Sequence, residues 1–166
     1  MTKEDKFYWL LDIKNNCLIE KAIECLDIVE FPGISNNPVI ASWAEEVNAP
    51  SKYKEDKTPW CALFMSYIVH SCGYDLPKGS TKSLNWLEWG GTIEIPEIGD
   101  ILIYKKRIGG HIGLFVEEDG DYYWTLGGNQ SRKEGQDSVN IKRIKKSKCV
   151  RICRPIKTIK NEVSKD

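Results

Sequence analysis

The sequence is sparing with the residues that usually announce a function. It has two histidines, His70 and His111, so a histidine-built metal centre has almost no ligands to draw on and the search for an imidazole base is short. No Cys-x-x-Cys pair occurs among its six cysteines, which argues against a structural zinc site. Neither sign of charge dominates: Lys plus Arg and Asp plus Glu both number 24. That balance gives no nucleic-acid footprint and no electrostatic membrane anchor. No apolar run is long enough to cross a bilayer. The polar start, Met1-Thr2-Lys3-Glu4-Asp5-Lys6, lacks the apolar region of a signal peptide, so the expectation is synthesis in the cytoplasm without ordinary secretion, with all six thiols reduced. Spacing agrees for the nearest pairs. Cys17 and Cys25 stand about 12 Å apart along one helix, and Cys149 and Cys153 about 13 Å apart along an extended strand.

What is present fits one domain. A chain of 166 residues buries roughly 70% of its unfolded surface on folding and needs no disulfide or metal staple. Residues 1–16 read as an N-terminal extension, whose cluster Phe7-Tyr8-Trp9-Leu10-Leu11 suits a short docked helix. Leu18, Ala22, Cys25 and Val29 recur at helical spacing and predict a helix over 17–29, closed by Phe31-Pro32-Gly33. Asn37 before Pro38 is a cap followed by a first-turn proline, and Ile40, Trp43 and Val47 carry that helix to about 47. A nearly all-apolar helix follows Thr58-Pro59, with Thr58 as the expected cap, and ends at Gly73. Ser80 to Trp89 predicts a short helix with Leu84 and Leu87 inward.

From Pro96 the period changes from helix to strand. Ile101 to Tyr104, His111 to Val116, Tyr122 to Leu126, Val139 to Ile144 and Val150 to Ile152 read as strands, with a hairpin at Asp119-Gly120. Helices first and an antiparallel sheet second predict an α+β domain over 17–155, followed by a polar tail over 156–166. The stretch from Lys142 to Lys160 is basic. It reads either as a solvated strand face or as an attraction for an anionic polymer.

Three stretches carry possible chemistry. Cys61 falls in the first turn of its helix, where free N–H groups and the helix dipole favour a thiolate; the competing reading is a buried, inert cysteine. His70 lies nine residues further on the same helix and therefore on its opposite face. His111 sits in Gly109-Gly110-His111-Ile112-Gly113, where glycines permit close approach at the mouth of a strand. Leu126-Gly127-Gly128-Asn129-Gln130 ends the next strand, and Asn129 is the expected acceptor that would fix the His111 tautomer. For that, the hairpin needs a three-residue loop or one bulge, so that Asn129 falls opposite His111. Trp60, Trp86, Trp89 and Tyr104 belong either to the core or to the wall of a groove.

Taken together, Glu30-Phe31-Pro32-Gly33, Asn37-Pro38-Val39-Ile40, Pro59-Trp60-Cys61-Ala62-Leu63-Phe64, Trp86-Leu87-Glu88-Trp89-Gly90, Gly99-Asp100-Ile101, Gly110-His111-Ile112-Gly113 and Gly127-Gly128-Asn129-Gln130 form an ordered set. The set resembles the papain-like cell-wall hydrolases of the CHAP type, the cysteine- and histidine-dependent amidohydrolases/peptidases, in a compact phage and bacterial subgroup. The resemblance implies a papain-like fold and a peptidoglycan hydrolase that cuts an amide bond. Cys61 would be nucleophile, His111 base and then acid, and Asn129 orienter, with Trp60, Trp86, Trp89 and Tyr104 toward the substrate and no metal or cofactor. Glu30 and Asp56 match the pattern without an evident chemical role. The bond cut is left open between an N-acetylmuramoyl-L-alanine amidase and a stem-peptide endopeptidase, and the route to the wall between phage lysis and a bacterial secretion apparatus, with a delivery, targeting or inhibitor protein as a further partner. Two rivals stand beside it: a catalytically silent module that binds peptidoglycan or a partner, and an intracellular cysteine peptidase or deamidase acting on proteins.

Overall fold

The computed structural model describes residues 6–31, 35–55, 58–132 and 136–157. Three helices precede a six-stranded antiparallel sheet, the α+β order expected from the change of period. Helices α1 (Cys17–Glu24), α2 (Pro38–Glu46) and α3 (Cys61–Ser71) pack on one face of the sheet. The strands are β1 (Gly91–Thr92), β2 (Ile101–Lys105), β3 (Gly110–Asp119), β4 (Tyr122–Ser131), β5 (Asp137–Lys145) and β6 (Cys149–Arg154). Their order across the sheet is β1-β6-β2-β3-β4-β5. α3 lies over β3 and β4 and carries much of the core, with Leu63, Phe64, Met65, Ile68 and Val69 fully buried. A smaller cluster, Leu102, Tyr104 and Phe115 with Tyr123, Ile144 and Ile152, covers the other face. Among the described residues no helix is long and apolar enough to cross a membrane.

Local signals explain the helix starts. Asn16 caps α1 by accepting from the Ile19 N–H, and Asn37 caps α2 by accepting from the Val39 N–H at 2.9 Å, ahead of Pro38 in the first turn. The helix predicted to run to 29 stops at Glu24 instead. Asp27 takes a left-handed φ of 66°, and the sheet claims the backbone beyond it. The Asp27 N–H donates to Val139 O, the Val139 N–H to Ile28 O, and the Glu30 N–H to Asp137 O; ladder bonds satisfy these groups where helix bonds would have. The expected Pro32-Gly33 stop lies outside the described residues. In place of a helix over 80–89 there is a single 3₁₀ turn, Ser83–Trp86, with Trp86 buried and Leu87 exposed, contrary to the inward position expected for Leu87. The N-terminal segment forms a 3₁₀ turn over Tyr8–Asp12, and its Phe7 and Leu10 enter the main core, Phe7 edge-on to Trp124. The tail beyond residue 157 lies outside the described residues.

The expectation of six reduced thiols fails. Cys17 and Cys72, 55 residues apart, form a disulfide that joins the start of α1 to the residue after α3. Spacing along one element ruled out the nearest pairs but says nothing of cysteines on neighbouring helices. Cys25, Cys61, Cys149 and Cys153 remain free.

Candidate active site

Helix α3 begins two residues later than its sequence suggests. Trp60, not Thr58, is the cap residue of α3, and no side chain of its own caps it; the Thr58 hydroxyl donates to Lys52 O instead. The cap comes from across the molecule. Asn129 Oδ1 accepts from the Trp60 N–H at 3.0 Å, while Asn129 Nδ2 donates to Asp137 Oδ2 at 2.7 Å. Glu30 completes this bracket, accepting from the Asp137 N–H and from the Trp60 indole. Glu30 is therefore a structural clamp on the helix start. Asp56 lies outside the described residues.

Cys61 is 7% exposed in the first turn of α3. Its thiol lies against three backbone N–H groups, those of Ala62, Ile112 and Cys61 itself. Ile112 is the neighbour of His111, so the helix start meets β3 at the histidine. Burial pushes the Cys61 thiol up from its ordinary value, and Lys106 and the three N–H groups pull it the other way. His70 is exposed and carried away from this place, as nine helical steps require.

His111 is 4% exposed and sits opposite Tyr104 in the β2–β3 ladder, its ring stacked on the tyrosine ring at 6.2 Å. It thus stands on the sheet face of Tyr104 and Thr125, while Cys61 approaches the same stretch of β3 from the helix side. The partner of its ring is Gln130, not Asn129: His111 Nε2 lies 2.9 Å from Gln130 Oε1. Gln130 Nε2 donates to Thr125 O, to Asn140 O at 2.6 Å and to Asn140 Oδ1. This network orients the amide with its oxygen toward the imidazole, so Nε2 carries the proton and Nδ1 the lone pair. Nδ1 is buried and has no hydrogen-bond partner among the described residues, Cys61 included. Burial holds the imidazole down at about 4; the Gln130 bond acts in the opposite sense, and Lys106 and Lys142 lower it further.

The exchange of Gln130 for Asn129 is a matter of parity. The hairpin turns on Gly120 and Asp121, with glycine at a φ of 55° in the first loop position and Asp119 paired with Tyr122. A bulge between Phe115 and Glu117 then shifts the ladder by one, and Leu114 pairs with Leu126. That is the register in which position 129 falls opposite His111, and the expected bulge is present. A second irregularity between Gly127 and Gln130, with Asn129 at a φ of 54°, shifts β4 once more. It turns Asn129 toward the helix start and Gln130 toward the imidazole. The available sign was an asparagine after two glycines, since asparagine tolerates the left-handed region better than most residues.

The aromatic residues divide. Trp60, Trp86 and Tyr104 are buried at 0%, 0% and 1% exposure, so they are core and not the wall of a groove. The Tyr104 hydroxyl bonds Thr125 Oγ1 at 2.6 Å beneath the histidine. Only Trp89, half-buried, reaches an open depression of about 810 Å³ that it shares with Pro77, Lys78, Leu84 and Glu88. No family model matches the chain, and no curated protein matches it either.

Proposed function

We propose that this chain is a papain-like cysteine hydrolase that cuts an amide bond of peptidoglycan, as an N-acetylmuramoyl-L-alanine amidase or a stem-peptide endopeptidase. One observation carries the reading: a buried histidine whose Nε2–H is held by Gln130, with its Nδ1 lone pair unpartnered on the strand that the Cys61 thiol touches. In the reaction His111 Nδ1 takes the Cys61 proton, and the thiolate adds to the amide carbonyl. The Cys61 N–H at the helix start supports the oxyanion. The same nitrogen then protonates the leaving amine, and water releases the acyl group from sulfur. Both groups rest in their neutral forms, so the proton moves only with substrate in place. The specific link to the cell wall rests on the ordered motifs that resemble CHAP-type hydrolases. The disulfide accords with work outside a reducing cytosol.

The test is digestion of purified sacculi with mass spectrometry of the products. Wild type should release new amino termini and Cys61→Ala none; alkylation of Cys61 should abolish release as well. Release by a folded Cys61→Ala protein would overturn the mechanism, and intact sacculi with the wild type would overturn the substrate.

A further inference from the structure

The basic C-terminal part of the chain is largely neutralised from within. Arg143 pairs with Asp119, Lys146 with Glu118, and Arg154 with Asp100 and Glu97. Arg151 spends its guanidinium on the carbonyls of Trp86, Trp89 and Gly90. Two lysines beside the candidate site are different. Lys106 opens the turn between β2 and β3, its N–H closing that turn on Gly109 O at 3.1 Å, and its side chain is exposed five residues before His111. Lys142 lies on β5 opposite Thr125, half-buried, and its ammonium donates to the hydroxyl of Ser131, the residue after Gln130. Neither has a carboxylate partner among the described residues. Of the nearby acids, Glu30 is spent on Trp60 and the Asp137 backbone, while Asp137 accepts from Asn129 and its single charge reaches both lysines. Two ammonium groups with one carboxylate between them leave a net positive charge beside His111 that a further anion can complete.

We infer that Lys106 and Lys142 form an anion subsite at the mouth of the Cys61–His111 site, and that the acyl donor it takes carries a free carboxylate close to the scissile amide. This deepens the hydrolase reading and rests on it, since free carboxylates of that kind belong to peptide stems and not to the glycan. The electrostatics suit the arrangement: Lys106 acts on both Cys61 and His111, and Lys142 on His111. A carboxylate seated between the lysines offsets their pull on the imidazole and makes Nδ1 a better base as the substrate arrives.

The experiment compares alkylation of Cys61 by iodoacetate and by iodoacetamide, followed by peptide mass mapping and normalised to N-acetylcysteine. Wild type should favour the anionic reagent by about fivefold or more at low salt, a preference that 0.5 M NaCl suppresses. The double variant Lys106→Gln/Lys142→Gln should react more slowly with both reagents, since Lys106 no longer draws the Cys61 thiol down, but should lose the preference between them, with circular dichroism and the urea midpoint reporting that it is folded; Lys106→Arg/Lys142→Arg should keep the preference. On sacculi the Gln variant should raise KM with little change in kcat. Equal preference in the wild type and the Gln variant overturns the subsite. The two readings fail separately: preference without cleavage of sacculi removes peptidoglycan as the substrate, and cleavage without preference removes the subsite.

Discussion

At position 129 the chain has an amide that holds a helix, and at position 130 one that holds a histidine. Removing them should have different consequences. Gln130→Ala frees the imidazole to rotate and to exchange tautomers, so kcat on sacculi should fall roughly 100-fold, and the loss of its buried bonds to His111, Thr125 and Asn140 should cost about 1–3 kcal/mol of stability as well. Asn129→Gly keeps the left-handed backbone but loses the cap on Trp60; it should cost about 1 kcal/mol in urea unfolding and leave the pH profile of activity unchanged. Equal kinetic damage from both would return Asn129 to the imidazole. His111 makes a second prediction. Its folded value of about 4 lies below the ordinary 6.5, so the unfolded chain binds the extra proton, and stability is complete above pH 6.5 and drains away as pH falls toward 4. The loss is about 3 kcal/mol for a group this buried. Comparing urea midpoints of wild type and His111→Gln at pH 7 and pH 4 should show a smaller acid-side loss in the variant. The places of Cys61 at a helix start and His111 at a glycine-flanked strand start were legible because those signals are local. The identity of the orienting amide was not, because it depends on counting two ladder shifts that no residue type announces.

Elements tell a similar story about reach. The start of α2 was legible because Asn37 and Pro38 act within one turn, and the central helix because its residues are apolar nearly all round. The end of α1 was not, since β5 reaches in from over a hundred residues away to take the backbone of residues 27–30. Nor was the start of α3, where the cap arrives from β4. That junction is tight: a Cβ on Gly128 would stand 2.6 Å from the Trp60 ring and 2.7 Å from Phe64 Cβ. Gly128→Ala should therefore push the first turn of α3 away from β4 and cost about 1–3 kcal/mol. Thiol labelling of Cys61 offers a direct view, because a displaced helix start exposes the sulfur and labelling should accelerate. An unchanged labelling rate at unchanged stability would mean that the strand, not the helix, gives way.

On the scale of the molecule, α3 is held at both ends from afar, by Asn129 at Trp60 and by Cys17 at Cys72. Closing so long a loop stabilises the fold by about 4 kcal/mol if the chain-entropy account applies, and Cys17→Ser should lower the urea midpoint accordingly without abolishing cleavage of sacculi. The α+β order was legible from the change of period alone, whereas the disulfide needed knowledge of which helices are neighbours. The same bond makes a covalent ring that contains Cys61 together with the exposed Lys52 and Lys54. A protease cut at either lysine opens the ring without parting the pieces: the nicked protein should run as one band on a non-reducing gel and as two after reduction. Cys61 would still be tethered to α1 by a bond that cleavage of one peptide link does not touch, so damage by foreign proteases need not be the end of a working molecule.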